Sequence, residues 1–70
     1  MVEDLPFRVE EWDVEWRGRI STLAAAADLM AARAAYRVLV ERRPDAAMML
    51  CDRARVVEKT GPGQENETAE

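Results

Sequence analysis

The apolar residues in the alanine-rich middle of the chain cannot all lie on one face of a single helix. At 100° per residue, one core-facing stripe contains Leu29, Ala32, Tyr36, Leu39 and Val40. Continued backwards, the same helix would place Ile20 and Leu23 on nearly the opposite side. Because a chain of 70 residues is too small to cover two apolar faces of one helix without dimerising, the register change predicts a break.

Asp28 marks that break. Aspartate is a favoured N-cap residue, and Asp28 directly precedes Leu29, the first residue of the apolar stripe. Proline is poorly tolerated inside a helix, so Pro44 marks the other limit. The sequence therefore predicts one helix over residues 29–43.

Three other segments have the pattern of β-strands. Residues 7–10 alternate apolar and polar side chains, and residues 55–58 contain a β-branched pair. Residues 47–51 form a short apolar run typical of a buried strand, and Asp52-Arg53 follows it as a turn. We predict that the last two strands form a hairpin, although its turn contains no glycine.

Residues 18–27 fit either a helix or a strand. Four successive alanines favour a helix, whereas the register change favours a strand that pairs with residues 6–14. We choose the strand. The predicted order is then ββαββ, which defines an α+β domain with one helix packed on a small antiparallel sheet.

The end of the chain differs in composition from the rest. It opens with Gly61-Pro62-Gly63 and contains no large apolar residue. We predict a single domain over residues 1–59 and a disordered acidic tail over residues 60–70. The tail holds three of the 14 acidic residues and no basic residue, so the domain itself is nearly neutral.

The elements in this order resemble a group of very short uncharacterised bacterial proteins. The residues that carry the resemblance are Phe7-Arg8-Val9-Glu10-Glu11-Trp12-Asp13, Ala31-Ala32-Arg33-Ala34-Ala35-Tyr36, Arg43-Pro44 and Ala54-Arg55-Val56-Val57. The resemblance spans residues 6–59 and implies a compact ββαββ-like unit, with no function attached. The chain departs from the group's pattern at Asp52-Arg53, where a glycine-rich turn is expected.

Small size restricts how such a domain is stabilised. Domains of this length commonly add a disulfide, a metal ion or a partner chain to their core. Cys51 is the only cysteine and the chain has no histidine, so an internal disulfide is excluded and the common zinc sites lack ligands. Self-association or another protein partner is the route that remains.

Export and membrane insertion are not indicated. The segment Met1-Val2-Glu3-Asp4 is acidic where a signal peptide is basic, and no apolar run approaches the roughly 20 residues of a membrane helix. A single free cysteine fits a reducing compartment. We expect a cytoplasmic protein that does not contact a membrane.

Residues suited to catalysis are scarce. Histidine, the commonest general base, is missing, and Ser21 is the only serine. Cys51 is the one plausible nucleophile, but it lies in an apolar run, where burial raises the pKa of a thiol. We therefore predict that the protein is not an enzyme and has no catalytic residue, cofactor or metal site.

The tryptophans are the strongest candidates for a binding surface. On a strand, Trp12 and Trp16 share one side with Val14, on the sheet face away from the helix. Tryptophan is a frequent interface anchor, and core packing is the other interpretation. The first functional prediction is a non-catalytic protein-interaction module, homodimeric in its simplest form, that binds through these three residues.

A small nucleic-acid-binding or regulatory protein is the alternative. Arg33 and Arg37 lie one turn apart on the predicted helix, and Arg53 and Arg55 lie on the predicted hairpin, so the four could form a basic patch. A net charge of −4 and the absence of a known reading motif argue against nucleic acid. Surface arginines paired with nearby acidic residues are the simpler interpretation.

Overall fold

The computed structural model describes residues 5–63 and 66–68. In chain order its elements are β1 (Phe7–Trp12), β2 (Arg19–Ala26), α1 (Leu29–Arg42), β3 (Ala47–Asp52), β4 (Arg55–Thr60) and β5 (Glu67–Thr68). The strands form one sheet in the order β2-β1-β3-β4-β5, and every neighbouring pair is antiparallel. The predicted α+β class, with one helix and an antiparallel sheet in ββαββ order, is confirmed.

The break predicted at Asp28 is present. Residues before it form the strand β2, and the Asp28 side chain accepts a hydrogen bond of 2.9 Å from the backbone N–H of Ala31. The helix ends at Arg42, one residue before the predicted limit, and the Arg43 backbone N–H closes the last turn on the carbonyl of Leu39. A local capping signal therefore separates strand from helix within the alanine-rich middle.

The core lies between α1 and one face of the sheet. Its buried side chains are Val9, Ala32, Tyr36, Met48, Leu50 and Val57. The pairing of β3 with β4 shifts by one residue between Leu50 and Cys51, so Val57 is an extra residue in β4. This bulge brings Val57 into the core next to Glu58, which also faces the helix.

The sheet face opposite α1 is the open face. It carries the strand residues that alternate with those of the core. Strand pairing places Arg8, Glu10 and Trp12 of β1 beside Cys51, Met49 and Ala47 of β3, respectively. Met49 in turn pairs with Lys59 of β4. Since successive strand residues point to opposite faces, these side chains share the open face.

The connection between β1 and β2 corrects one prediction. Val14 and Trp16 do not continue the strand, because β1 ends at Trp12 and residues 13–18 form a turn. The Asp13 carboxylate accepts the backbone N–H of Glu15 at 3.0 Å, and the Asp13 carbonyl accepts that of Trp16 at 2.8 Å. An aspartate side chain that satisfies local backbone donors in this way favours a turn over a strand.

The β3–β4 turn forms without glycine. Arg53 supplies its left-handed backbone conformation, with φ of 56°. The turn is held by the backbone N–H of Arg53, which donates to the carbonyl of Pro6 at 2.8 Å, and by the Arg8 guanidinium, which donates to the carbonyl of Arg53 at 2.8 Å. Contacts with Pro6 and with Arg8 of β1 therefore stabilise a conformation that arginine disfavours on its own.

The segment predicted as a tail contributes to the sheet. Thr60, its first residue, is the last residue of β4, and Glu67–Thr68 pairs with β4. Asn66 also contacts Glu58 through a hydrogen bond of 2.9 Å. The predicted disorder at residues 64, 65, 69 and 70 lies outside the described residues.

Candidate functional site

Trp16 lies over one end of the open face. Its ring is 6.4 Å from that of Trp12, with an angle of 42° between the planes, and the Lys59 ammonium lies 5.0 Å from the Trp16 ring centre. Trp16 has a left-handed backbone, with φ of 60°. The turn thus places the Trp16 ring between Trp12 of β1 and Lys59 of β4, and the cation–π contact with Lys59 holds it there.

Val14 and Ile20 lie together on the other side of Trp12. The three residues line a cleft of about 430 Å³ that reaches Arg43 and Pro44 at the end of α1. Val14 is 51% exposed and Ile20 is 61% exposed. The turn therefore brings Trp16 against Trp12 and places Val14 in a cleft with Trp12, but Trp16 does not line that cleft. The cleft adds Ile20, which the sequence did not single out as a binding residue.

Strand β2 adjoins this cleft and forms an edge of the sheet. Among the described residues no strand pairs with its outer side. Its pairing with β1 shifts at two points, which leaves Ile20 and Leu23 as extra residues of β2. From Ile20 to Ala26 the strand contains no charged residue and no proline.

Glu10 is the centre of a polar network on the open face. Its side chain is 4% exposed, and one carboxylate oxygen accepts hydrogen bonds from Arg8 at 3.0 Å and from Arg19 at 3.3 Å. The other oxygen accepts the indole N–H of Trp12 at 3.0 Å. Burial raises the pKa of Glu10, but the hydrogen bonds from Arg8, Trp12 and Arg19 outweigh burial and hold it below the ordinary value.

Cys51 is buried beside the same carboxylate. Its Sγ lies 3.6 Å from Oε1 of Glu10. Burial, together with the negative charge of Glu10 and the hydrogen bond to it, raises the pKa of Cys51 to about 11. The thiol is therefore protonated at neutral pH, which is the state expected of a packing residue.

The four arginines of the nucleic-acid hypothesis do not form one patch. Arg33 donates to Glu58 at 2.7 Å on the helix side, and Arg55 donates to Asp52 at 3.2 Å. Arg37 lines a cleft between α1 and β4, whereas Arg53 lines a groove on the open face.

A second polar chain, on the helix side, joins α1, β4 and the residues before β5. The Tyr36 hydroxyl donates to the Asn66 carbonyl oxygen at 2.6 Å, and the Asn66 amide donates to Glu58 at 2.9 Å. Arg33 binds the other oxygen of Glu58. Burial, with the charge of Glu58, raises the pKa of Tyr36, so this hydroxyl remains a donor.

Sequence reasoning missed the grouping of Arg8, Glu10 and Arg19. The available signal was the i, i+2 spacing of Arg8, Glu10 and Trp12, which places all three on one face of a strand. The contribution of Arg19 depends on the pairing of β1 with β2. Residues 5–63 and 66–68 contain no group of three histidine, cysteine or acidic side chains positioned to hold a metal ion.

Neither the family models, the curated proteins nor the solved structures gave a significant match to this chain. The resemblance to short bacterial proteins stays a prediction. Within the described part of the chain, no helix is both long enough and apolar enough to cross a membrane.

Proposed function

We propose that this protein is a non-catalytic interaction module that self-associates through the outer edge of β2. The uncharged edge from Ile20 to Ala26 carries the proposal. Soluble monomers usually protect an edge strand with lysine, proline, short length or β-bulges, because its free backbone groups pair readily with another strand. β2 has two bulges but neither lysine nor proline. A second copy of β2 would satisfy these groups.

Side-chain contacts would supplement the backbone pairing. The bulges at Ile20 and Leu23 twist the edge and limit the length over which two strands can pair. Exposed Val14 and Ile20 lie beside that edge and offer apolar surface. In a twofold dimer the contact between this patch and the facing part of the partner occurs twice, so one patch contributes at both ends of the paired strands.

The buried core gives a reason for a partner. Among residues 5–63 and 66, the largest side chains that are fully buried are Met48, Leu50, Val9 and Val57. A single core of a domain this small rarely supplies more than about 3–5 kcal/mol of stability. Dimerisation would add buried apolar area where the chain has neither a disulfide nor histidine ligands for a metal.

Light scattering coupled to gel filtration tests this proposal. The wild-type protein should elute at twice its 7.9 kDa mass, and Ile20→Lys should shift it towards the monomer because each lysine would bring an unpaired charge into the apolar surface beside the edge. Val38→Lys is the matched control, since Val38 is 50% exposed on the helix. A wild-type protein that stays monomeric at about 1 mM would refute self-association, because dimers of even millimolar affinity would be populated.

Nucleic-acid binding receives less support. The predicted residues Arg33 and Arg55 are already paired with carboxylates, and Arg37 and Arg53 line different surfaces. A net charge of −4 adds repulsion to a polyanion.

A further inference from the structure

A groove of about 470 Å³ crosses the open face from β2 to the β3–β4 turn. Trp12, Met49 and Val56 provide its apolar lining. The groove is distinct from the cleft with Val14 and Ile20, although Trp12 borders both. The groove is therefore a second candidate binding surface.

The charged lining of this groove is unbalanced. Arg8, Arg19 and Arg53 contribute three positive charges, and Glu10 contributes the one negative charge. Glu10 remains ionised at neutral pH because its arginine and tryptophan donors lower its pKa against the effect of burial. The lining consequently carries a net charge of two positive units, in a chain whose overall charge is negative.

Two of these arginines, Arg8 and Arg19, are held in position before any ligand arrives. Glu10 binds both Arg8 and Arg19 through one oxygen, and Arg8 also donates to the backbone carbonyl of Arg53. Arg8 is 31% exposed and Arg19 is 54% exposed, so each guanidinium keeps donors that face solvent. A cation held in place by its neighbours loses little side-chain entropy when it binds an anion.

The shape of the groove favours an extended peptide over a small molecule. Its lining residues come from the sheet and the adjoining turn, and the one helix of the described chain packs on the opposite face. A small ligand usually needs 70–90% of its surface buried, which a groove in a single sheet face does not provide. A peptide can bind such a surface by spreading its contacts along it.

We propose that this groove binds an acidic peptide segment that also carries apolar side chains. Carboxylates of the peptide pair with Arg19 and Arg53, and its apolar side chains lie on Trp12 and Val56. A nucleic acid fits less well, because the chain carries a net charge of −4. A long run of phosphates would meet more of that negative charge than a short peptide confined to the groove.

Fluorescence anisotropy with a short fluorescein-labelled peptide of alternating glutamate and leucine tests this proposal. We expect saturable binding that weakens with added salt, and no binding of the counterpart with glutamine in place of glutamate. Arg53→Asn and Arg19→Gln should each weaken binding about tenfold, as expected for the loss of one charge-assisted contact. Asparagine tolerates the left-handed backbone of residue 53, so the turn should persist.

The matched control is Arg37→Gln, which removes one exposed positive charge on the helix. It should change the affinity less than about twofold, because exposed distant charges are screened. Equal weakening by Arg37→Gln and Arg53→Asn, with unchanged circular dichroism, would overturn the groove as the binding site. Tighter binding of single-stranded oligothymidylate, sensitive to the same groove variants, would replace the peptide with nucleic acid.

Two further measurements distinguish peptide binding in the groove from self-association and from a small-molecule site. Ile20→Lys should bind the peptide as the wild type does, whether or not the protein self-associates, since Ile20 lies outside the groove. Loss of peptide binding in a folded Ile20→Lys variant would contradict the assignment. Free glutamate should not displace the peptide at comparable concentration, and displacement would indicate a small-molecule site instead.

Discussion

Glu10→Gln should lower the free energy of unfolding by about 2 kcal/mol at neutral pH, because it removes the charge at the centre of a buried hydrogen-bond network. The carboxylate is 4% exposed and accepts hydrogen bonds from Arg8, Trp12 and Arg19. Hydrogen bonds to a charged group contribute about 1.5–3 kcal/mol, but the exposure of both arginines reduces that value through solvent screening. Glutamine keeps the shape and one carbonyl acceptor, but its amide nitrogen cannot accept, so the variant loses the charge and also the acceptor for either the arginines or the Trp12 indole N–H.

Equilibrium urea unfolding followed by tryptophan fluorescence measures this effect. For a domain of this size the expected loss corresponds to a melting temperature lower by about 8–16 °C. Glu15→Gln is the control, because the pair of Glu15 with Arg17 is largely exposed and should contribute less than about 0.5 kcal/mol. The reasoning is refuted if Glu10→Gln costs no more than Glu15→Gln.

The same variant tests the electrostatic origin of the effect through pH. Burial raises the pKa of Glu10, but its hydrogen bonds bring the net pKa below the ordinary 4.5. The unfolded chain therefore takes up the proton first, so the stabilisation is complete above pH 4.5 and is lost as pH falls through the folded pKa. The difference in unfolding free energy between wild type and Glu10→Gln should stay constant above pH 4.5 and shrink as the pH falls below it, whereas a difference that stays constant throughout would rule out charge as its cause.

Two substitutions and one reactivity measurement test other parts of the fold. Asp28→Ala should cost about 1 kcal/mol by removing the helix N-cap, read from thermal melting by circular dichroism, and an unchanged melt would contradict the cap. Tyr36→Phe removes the 2.6 Å hydrogen bond to Asn66 and should also cost about 1 kcal/mol in the same assay. Cys51, with a pKa of about 11, should react slowly with a thiol reagent at pH 8 until urea unfolds the protein, and rapid reaction of the folded protein would disprove its burial.

The helix and strands that depend on residues close together in the sequence were predictable from it. The register change in the apolar stripe and the capping residue Asp28 together separated β2 from α1, although four alanines favoured a helix throughout. The alternation in residues 7–10 identified β1, and the apolar run at residues 47–51 identified β3. Periodicity and capping act over a few residues, so they are visible in one dimension.

The conformation of the β1–β2 connection was not predictable in the same way. The alternation of Trp12, Val14 and Trp16 is also that of a strand, and neither proline nor glycine interrupts it before Gly18. The Asp13 side chain and the contact of Trp16 with Lys59 of β4 select the turn. The Asp13 signal is local, but aspartate is too common to identify a turn by itself. The contact of Trp16 with Lys59 joins residues far apart in the chain.

The sequence by itself determined the order of the helix and strands and the scarcity of residues suited to catalysis. Only the tertiary structure decided which charged residues meet. Glu10 gathers Arg19 from the neighbouring strand and Cys51 from a strand 41 residues away, whereas Arg33 and Arg55 are each paired with a different carboxylate. The physical reason is strand register, because pairing between distant segments sets which side chains share a face and so which charges form a groove.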